Sequence, residues 1–126
     1  MGVMPYEKFT AWRVSHELVI AVYQATRSFP AEERYGLTSQ MRRAAFSAAA
    51  TIAEGAAKRG SAEFRRYLDI ALGSLSELSY AILLARELGV LQQDGGEQLG
   101  ALRTRASKLT WGLYEAVSRR ARKTRV

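Results

Sequence analysis

The chain has 126 residues, 48% of them hydrophobic, and carries 19 Lys and Arg against 12 Asp and Glu, a formal net charge of +7. That length fits one domain able to bury roughly two thirds of its unfolded surface, so residues 1–126 are read as a single domain with a short extension at 1–8 and a basic tail at 119–126. The absence of cysteine excludes disulfides, thiolate metal sites and cysteine nucleophiles, while the lack of a signal-peptide core in Met1–Thr10, or of an apolar run near the roughly 18 residues of a membrane span, sets the expectation of a soluble cytoplasmic protein.

A first helix is predicted from about Phe9 to Phe29, with Val14, Leu18, Val22, Ala25 and Phe29 at helical spacing and Trp12, Val19 and Tyr23 on an adjoining row. Phe29-Pro30 ends it, because a residue before proline is pushed out of the helical region. Ala31 to Gly36 then connects, with a short turn that starts at Pro30 and sets Glu32 and Glu33 near its positive end. A second helix is predicted from Leu37 or Thr38 to about Ala57, with Met41, Ala45, Ala48 and Ile52 inward. Its many alanines favour close approach of two backbones, either inside a bundle or at a subunit interface.

Gly55, Lys58, Arg59 and Gly60 read as a basic, flexible link before Ser61, a candidate N-cap for the third helix. From Ser61 to Leu88 the positions Leu68, Ala71, Leu75, Leu78, Ile82 and Ala85 alternate spacings of three and four, one unbroken stripe along a helix. Phe64, Tyr67, Leu72, Leu83 and Leu84 widen that surface, and Gly89 supplies a left-handed stop. Asp94-Gly95-Gly96-Glu97 reads as a capping box opening a fourth helix, whose stripe is Leu99, Leu102, Ala106, Leu109, Leu113 and Ala116. Short connections between long helices favour an all-α, antiparallel up-down-up-down four-helix bundle.

Little in the chain points to catalysis. His16 is the only histidine, and its acidic neighbour Glu17 points about 100° away around a helix, which makes neither a metal site nor a triad. Glu54 and Glu63 flank the link without a nucleophile, a metal or an oxyanion site beside them. Gly55 and Gly60 lack the spacing and lysine of a phosphate-binding loop. The expectation is no enzyme, no metal and no cofactor.

The charge is more informative, because residues 1–98 balance 11 basic against 11 acidic groups, whereas residues 99–126 hold eight Lys and Arg against Glu115 alone. Such asymmetry suggests a polyanionic partner, nucleic acid first and an anionic membrane surface second. Arg105, Lys108, Arg119 and Arg122 recur on a side distinct from the leucine stripe, and Arg120, Lys123 and Arg125 thicken the end. Arg42, Arg43, Lys58 and Arg59 form a second group around helix two, diluted by Glu54 and Glu63. No base-reading module is recognisable, so binding should favour phosphates over sequence. A solvated basic helix end that binds nothing remains the alternative.

Nearly the whole chain resembles the four-helix-bundle proteins encoded by intervening sequences within bacterial large-subunit ribosomal RNA genes. The resemblance rests on Trp12 with His16-Glu17-Leu18-Val19, Phe29-Pro30, Tyr35-Gly36-Leu37-Thr38, Arg42-Arg43-Ala44-Ala45, Ile52-Ala53-Glu54-Gly55, Glu63-Phe64 and Ile70-Ala71-Leu72-Gly73-Ser74. It departs in helix two, where the family reads Ile-Pro before an Asn and this chain has Ala48, Ala49 and Thr51, implying a straighter helix. The resemblance implies a ring-shaped assembly, a homopentamer with a basic surface. The family is itself similar to accessory proteins of diversity-generating retroelements, which bind a reverse transcriptase and nucleic acid. Together these readings predict an oligomeric RNA- or DNA-binding scaffold, with a protein-interaction adaptor for a polymerase as the alternative.

Overall fold

In a computed structural model that describes residues 2–124, the described residues form four α-helices and no strand. They are α1 (Thr10–Thr26), α2 (Leu37–Ala56), α3 (Ser61–Glu87) and α4 (Gln93–Thr124), with 3-10 turns at Pro5–Lys8 and Ala31–Glu33. Among the described residues α1 lies against α2 and α4, and α3 lies against the same two, so diagonal helices meet only across the core. The pairings fix the register. Ser47 of α2 shares a 2.8 Å hydroxyl hydrogen bond with Ser74 of α3, whereas Gly55, two turns later on α2, lies against Phe64 and Tyr67, two turns earlier on α3.

The periodic positions are the core. The α3 stripe from Leu68 to Ala85 is no more than 4% exposed at any of its six predicted positions, because α2 and α4 close over it from both sides. Met41, Ala45, Ala48 and Ile52 of α2 and Leu18 and Val22 of α1 are fully buried. The helix is long and apolar enough to cross a membrane by length and composition, but a core helix meets the same criteria, and here the stripe faces protein. Leu83 departs from the expected apolar surface: it is 50% exposed, since it lies a third of a turn beyond Ile82 on the side neither neighbour covers.

Several helix ends fall elsewhere than the sequence suggests. α1 stops at Thr26, three residues early, where the buried Thr26 hydroxyl donates to the Val22 carbonyl and the Phe29 amide to Thr26. Phe29 still closes the core from beyond the helix. Ser61 is the first helical residue of α3, not its cap; Gly60, at φ +86°, makes the turn one residue sooner in a conformation open to glycine. Likewise α4 starts at Gln93, so Asp94 sits inside the first turn and the expected Asp94–Glu97 box is replaced by a Gln93–Glu97 side-chain hydrogen bond. Two expectations hold as drawn: Gly89 ends α3 at φ +73°, and a short turn follows Pro30 with Glu32 and Glu33 in it; the structure adds that Glu33 accepts the Leu37 amide at 3.0 Å, capping α2.

Gly55 is not part of a flexible link. It is buried within α2, and a Cβ there would stand 2.7 Å from the Tyr67 Cβ and 2.8 Å from the Phe64 ring, so a hydrogen side chain is what lets α2 and α3 touch. With alanine at positions 48 and 49, α2 runs unbroken through the stretch where a proline would bend it. On α4 the buried positions in the second half are Thr110, Val117, Ser118 and Ala121, while Leu109 and Leu113 are half buried and pack against the core. The Thr110 hydroxyl survives burial by donating to the Ala106 carbonyl at 2.8 Å.

Candidate nucleic-acid interface

Most of the basic residues singled out from the sequence fall into two groups, one where α2 and α4 end and the other in the first turns of α2. Lys58 and Arg59 follow α2 directly and sit where α3 begins. Arg65, one turn into α3, lines a depression of about 210 Å³ together with Arg119 and Arg122 of α4. One end of the bundle therefore gathers Lys58, Arg59, Arg65, Arg119 and Arg122 from three segments, with the exposed Arg120 and Lys123 on the same last turns of α4. Arg125 lies outside the described residues. Arg105 and Lys108 extend the exposed basic row back along α4 towards its middle.

Arg65 is the residue that sequence reasoning missed. In the linear chain it sits beside Arg66 in a segment whose charges balance, and only the packing of α3 on α4 brings it to Arg119 and Arg122. Arg66 points to a different use. Its guanidinium bonds the Glu63 carboxylate at 2.7 Å, and that hydrogen bond and charge hold it above its ordinary pKa. Tyr67 receives Lys58 on its ring at 5.3 Å and Arg66 at 4.9 Å.

Two aromatic rings stand in the same depression. Trp111 and Tyr114 stack with centroids 5.3 Å apart and planes 16° from parallel. Tyr114 packs on the core cluster of Ala11, Ile52, Leu68, Ala71 and Val117, which fixes the pair from beneath, while Trp111 is 51% exposed. Glu115 and Ser118 complete the lining. Ser118 is 6% exposed, and among the described residues its Oγ has no hydrogen-bond partner; a buried hydroxyl left in that state costs about 1–3 kcal/mol.

Arg42 and Arg43 lie at the other end. Arg42 is a brace: its Nε donates to Thr26 Oγ1 at 2.8 Å, its Nη2 to the Tyr23 carbonyl at 3.5 Å, and its guanidinium lies 4.6 Å over the Tyr23 ring. These contacts tie the last turn of α1 to α2 and give a donor to the Tyr23 carbonyl, one of those a helix end leaves open. Arg42→Ala should therefore cost about 1–3 kcal/mol in denaturant unfolding. Arg43 remains exposed beside Phe46. The four basic residues predicted as one group on helix two are thus split by the length of that helix, roughly 24 Å between positions 42 and 58.

Among the described residues no group of His, Asp and Glu is placed to hold a metal ion. His16 stacks on Trp12, with centroids 5.2 Å apart.

Comparison with known proteins places this arrangement among relatives. The model of the 23S rRNA-intervening sequence protein family matches residues 7–112. A crystal structure of a protein of unknown function from the S23 ribosomal protein family of Bacteroides thetaiotaomicron aligns with a TM-score of 0.75 at 20% identity, covering 83% of this chain and 98% of that one. At that identity the likeness shows the fold. No curated protein matches the chain significantly.

Proposed function

Because the chain belongs to the 23S rRNA-intervening sequence protein family, we propose that it is a non-enzymatic, oligomeric scaffold that binds RNA or DNA through phosphates in the cytoplasm. The observation that carries the reading is the convergence of Arg65 with Arg119 and Arg122, next to Lys58 and Arg59, at one end of the molecule. Guanidinium and ammonium groups arranged this way neutralise phosphates without reading bases. The relative registers of Ser47 with Ser74 and of Gly55 with Tyr67 support an antiparallel up-down-up-down order. In a ring of such bundles each subunit repeats the basic end, and weak contacts multiply by avidity.

The test is a titration of structured RNA across a salt series. Six to ten phosphate contacts should cost roughly 10³ to 10⁵ in affinity between 50 and 200 mM salt. Failure to bind at low salt would sink the proposal. Light scattering on the same sample reads the assembly, expected at a multiple of the 14.0 kDa chain and, for the pentamer the family resemblance implies, at five times it.

A second reading, an adaptor for a polymerase or other protein, draws on large apolar side chains left exposed on α2 and α3: Phe46, Ile70, Tyr80 and Leu83. A partner retained after nuclease treatment and high salt favours it. The same side chains suit contacts between subunits of a ring.

A further inference from the structure

We infer that the Trp111–Tyr114 stack and the three arginines beside it form a site for an unpaired nucleotide of a single-stranded nucleic acid, the base lying on Trp111 and its phosphate held by Arg65, Arg119 and Arg122. The inference rests on the nucleic-acid reading above and narrows it to unpaired strands. Tyr114 is anchored in the core and holds Trp111 nearly parallel to itself, so the indole is a preset platform rather than a mobile side chain. Half of the Trp111 surface is open, and the ring face turned away from Tyr114 is where the inference puts the base. In a duplex the faces of the bases are already covered by their neighbours, whereas an unpaired base has one to give, and every base has one.

The charges fit the same ligand. Arg65 comes from α3 and Arg119 and Arg122 from α4, so the phosphate site is set by the packing of two helices, within the same depression as the rings. Glu115 stands among them. A carboxylate there works against a continuous phosphate rail of the kind a duplex presents, but it can accept from a base N–H, the ring imide of uracil or thymine or the exocyclic amino group of the other bases.

The experiment measures fluorescence anisotropy of labelled oligo(U), oligo(dT) and a duplex of equal length with the full chain, its Trp111→Ala, Trp111→Phe and Arg65→Gln variants, each over a salt series. Trp111→Ala should weaken both single strands about 5- to 100-fold, leave duplex binding alone and leave the salt slope unchanged, since stacking releases no counterions. Trp111→Phe should retain most of the affinity because it keeps a ring, and Arg65→Gln should lower the salt slope by about one. The relative response of oligo(U) and oligo(dT) distinguishes an RNA from a DNA ligand. Wild-type affinity of Trp111→Ala for both single strands, or an equal loss on the duplex, would overturn the inference and leave the broader nucleic-acid reading standing. No binding of any of the three probes at low salt would overturn both.

Discussion

Replacing Arg119, Arg120, Arg122, Lys123 and Arg125 with glutamine in one variant should shrink the fall in RNA affinity between 50 and 200 mM salt by roughly 10² to 10³. Each phosphate contact contributes about 0.7 to 0.9 to the slope of log affinity against log salt, so losing up to five contacts removes most of the slope. Exposed positions on the last turns of α4 carry four of the five side chains, while Arg125 lies outside the described residues, so thermal unfolding should change little. Affinity at high salt should hardly move, because only the counterion-release part has been taken away. An unchanged slope would show that the basic end is a solvated helix terminus and that phosphate binding lies elsewhere, with Arg43 and its exposed surroundings at the opposite end as the next place to look.

Leu75→Ala should be the most damaging single truncation, costing about 3–5 kcal/mol in denaturant unfolding. Leu75 is fully buried at the middle of α3, in the cluster that also takes Leu18, Met41 and Leu78 from three helices. Loss of its branched end leaves a cavity that four packed helices can only partly close. The corresponding drop in Tm is on the order of 10–20 °C for a chain of this size. Glu77→Ala, two residues on and exposed, should stay within about 0.5 kcal/mol of wild type. A similar cost at both positions would place the α3 stripe outside the core.

The two outcomes probe different kinds of information. The stability of α3 rests on a periodic pattern that any helix must display on one side, which is why all six predicted positions of its stripe are buried. α4 shows where periodicity stops being enough. Its predicted row does pack on the core, with Leu99 and Ala106 buried and Leu102, Leu109 and Leu113 against them, but Thr110, Val117, Ser118 and Ala121 are buried as well and lie off that row. Threonine satisfies its own hydroxyl against the preceding turn and so enters a core from which polarity alone would exclude it. Leu83 was expected inward and is not, because a wide apolar face is covered only as far as its two neighbours reach. The helix starts at Ser61 and near Asp94 shifted by one or two residues for a local reason: Gly60 reaches a left-handed turn, and Gln92 already accepts the Gly96 amide.

The candidate site was legible in its charge and not in its assembly. The excess of eight Lys and Arg over Glu115 after position 98 marks α4 whatever the fold. Trp111 gives no such signal: it lies two positions from both Leu109 and Leu113, about 200° around the helix from each, and a lone aromatic residue there names no ligand. The family match ends at residue 112, so it reaches Trp111 but not Arg119 or Arg122.

By itself the sequence determined four helices, their inward stripes, the Gly89 stop and the end of the chain that carries the net charge, because each follows from local propensity or from spacing along one helix. Only the tertiary structure decided that Gly55 is a contact point between α2 and α3, that Arg42 is a brace while Arg65 joins Arg119 and Arg122, and that Trp111 stands half open on an anchored Tyr114. Those facts depend on which residues of different helices come opposite one another, and interhelical register is set by how side chains fill the shared core, which no single helix specifies.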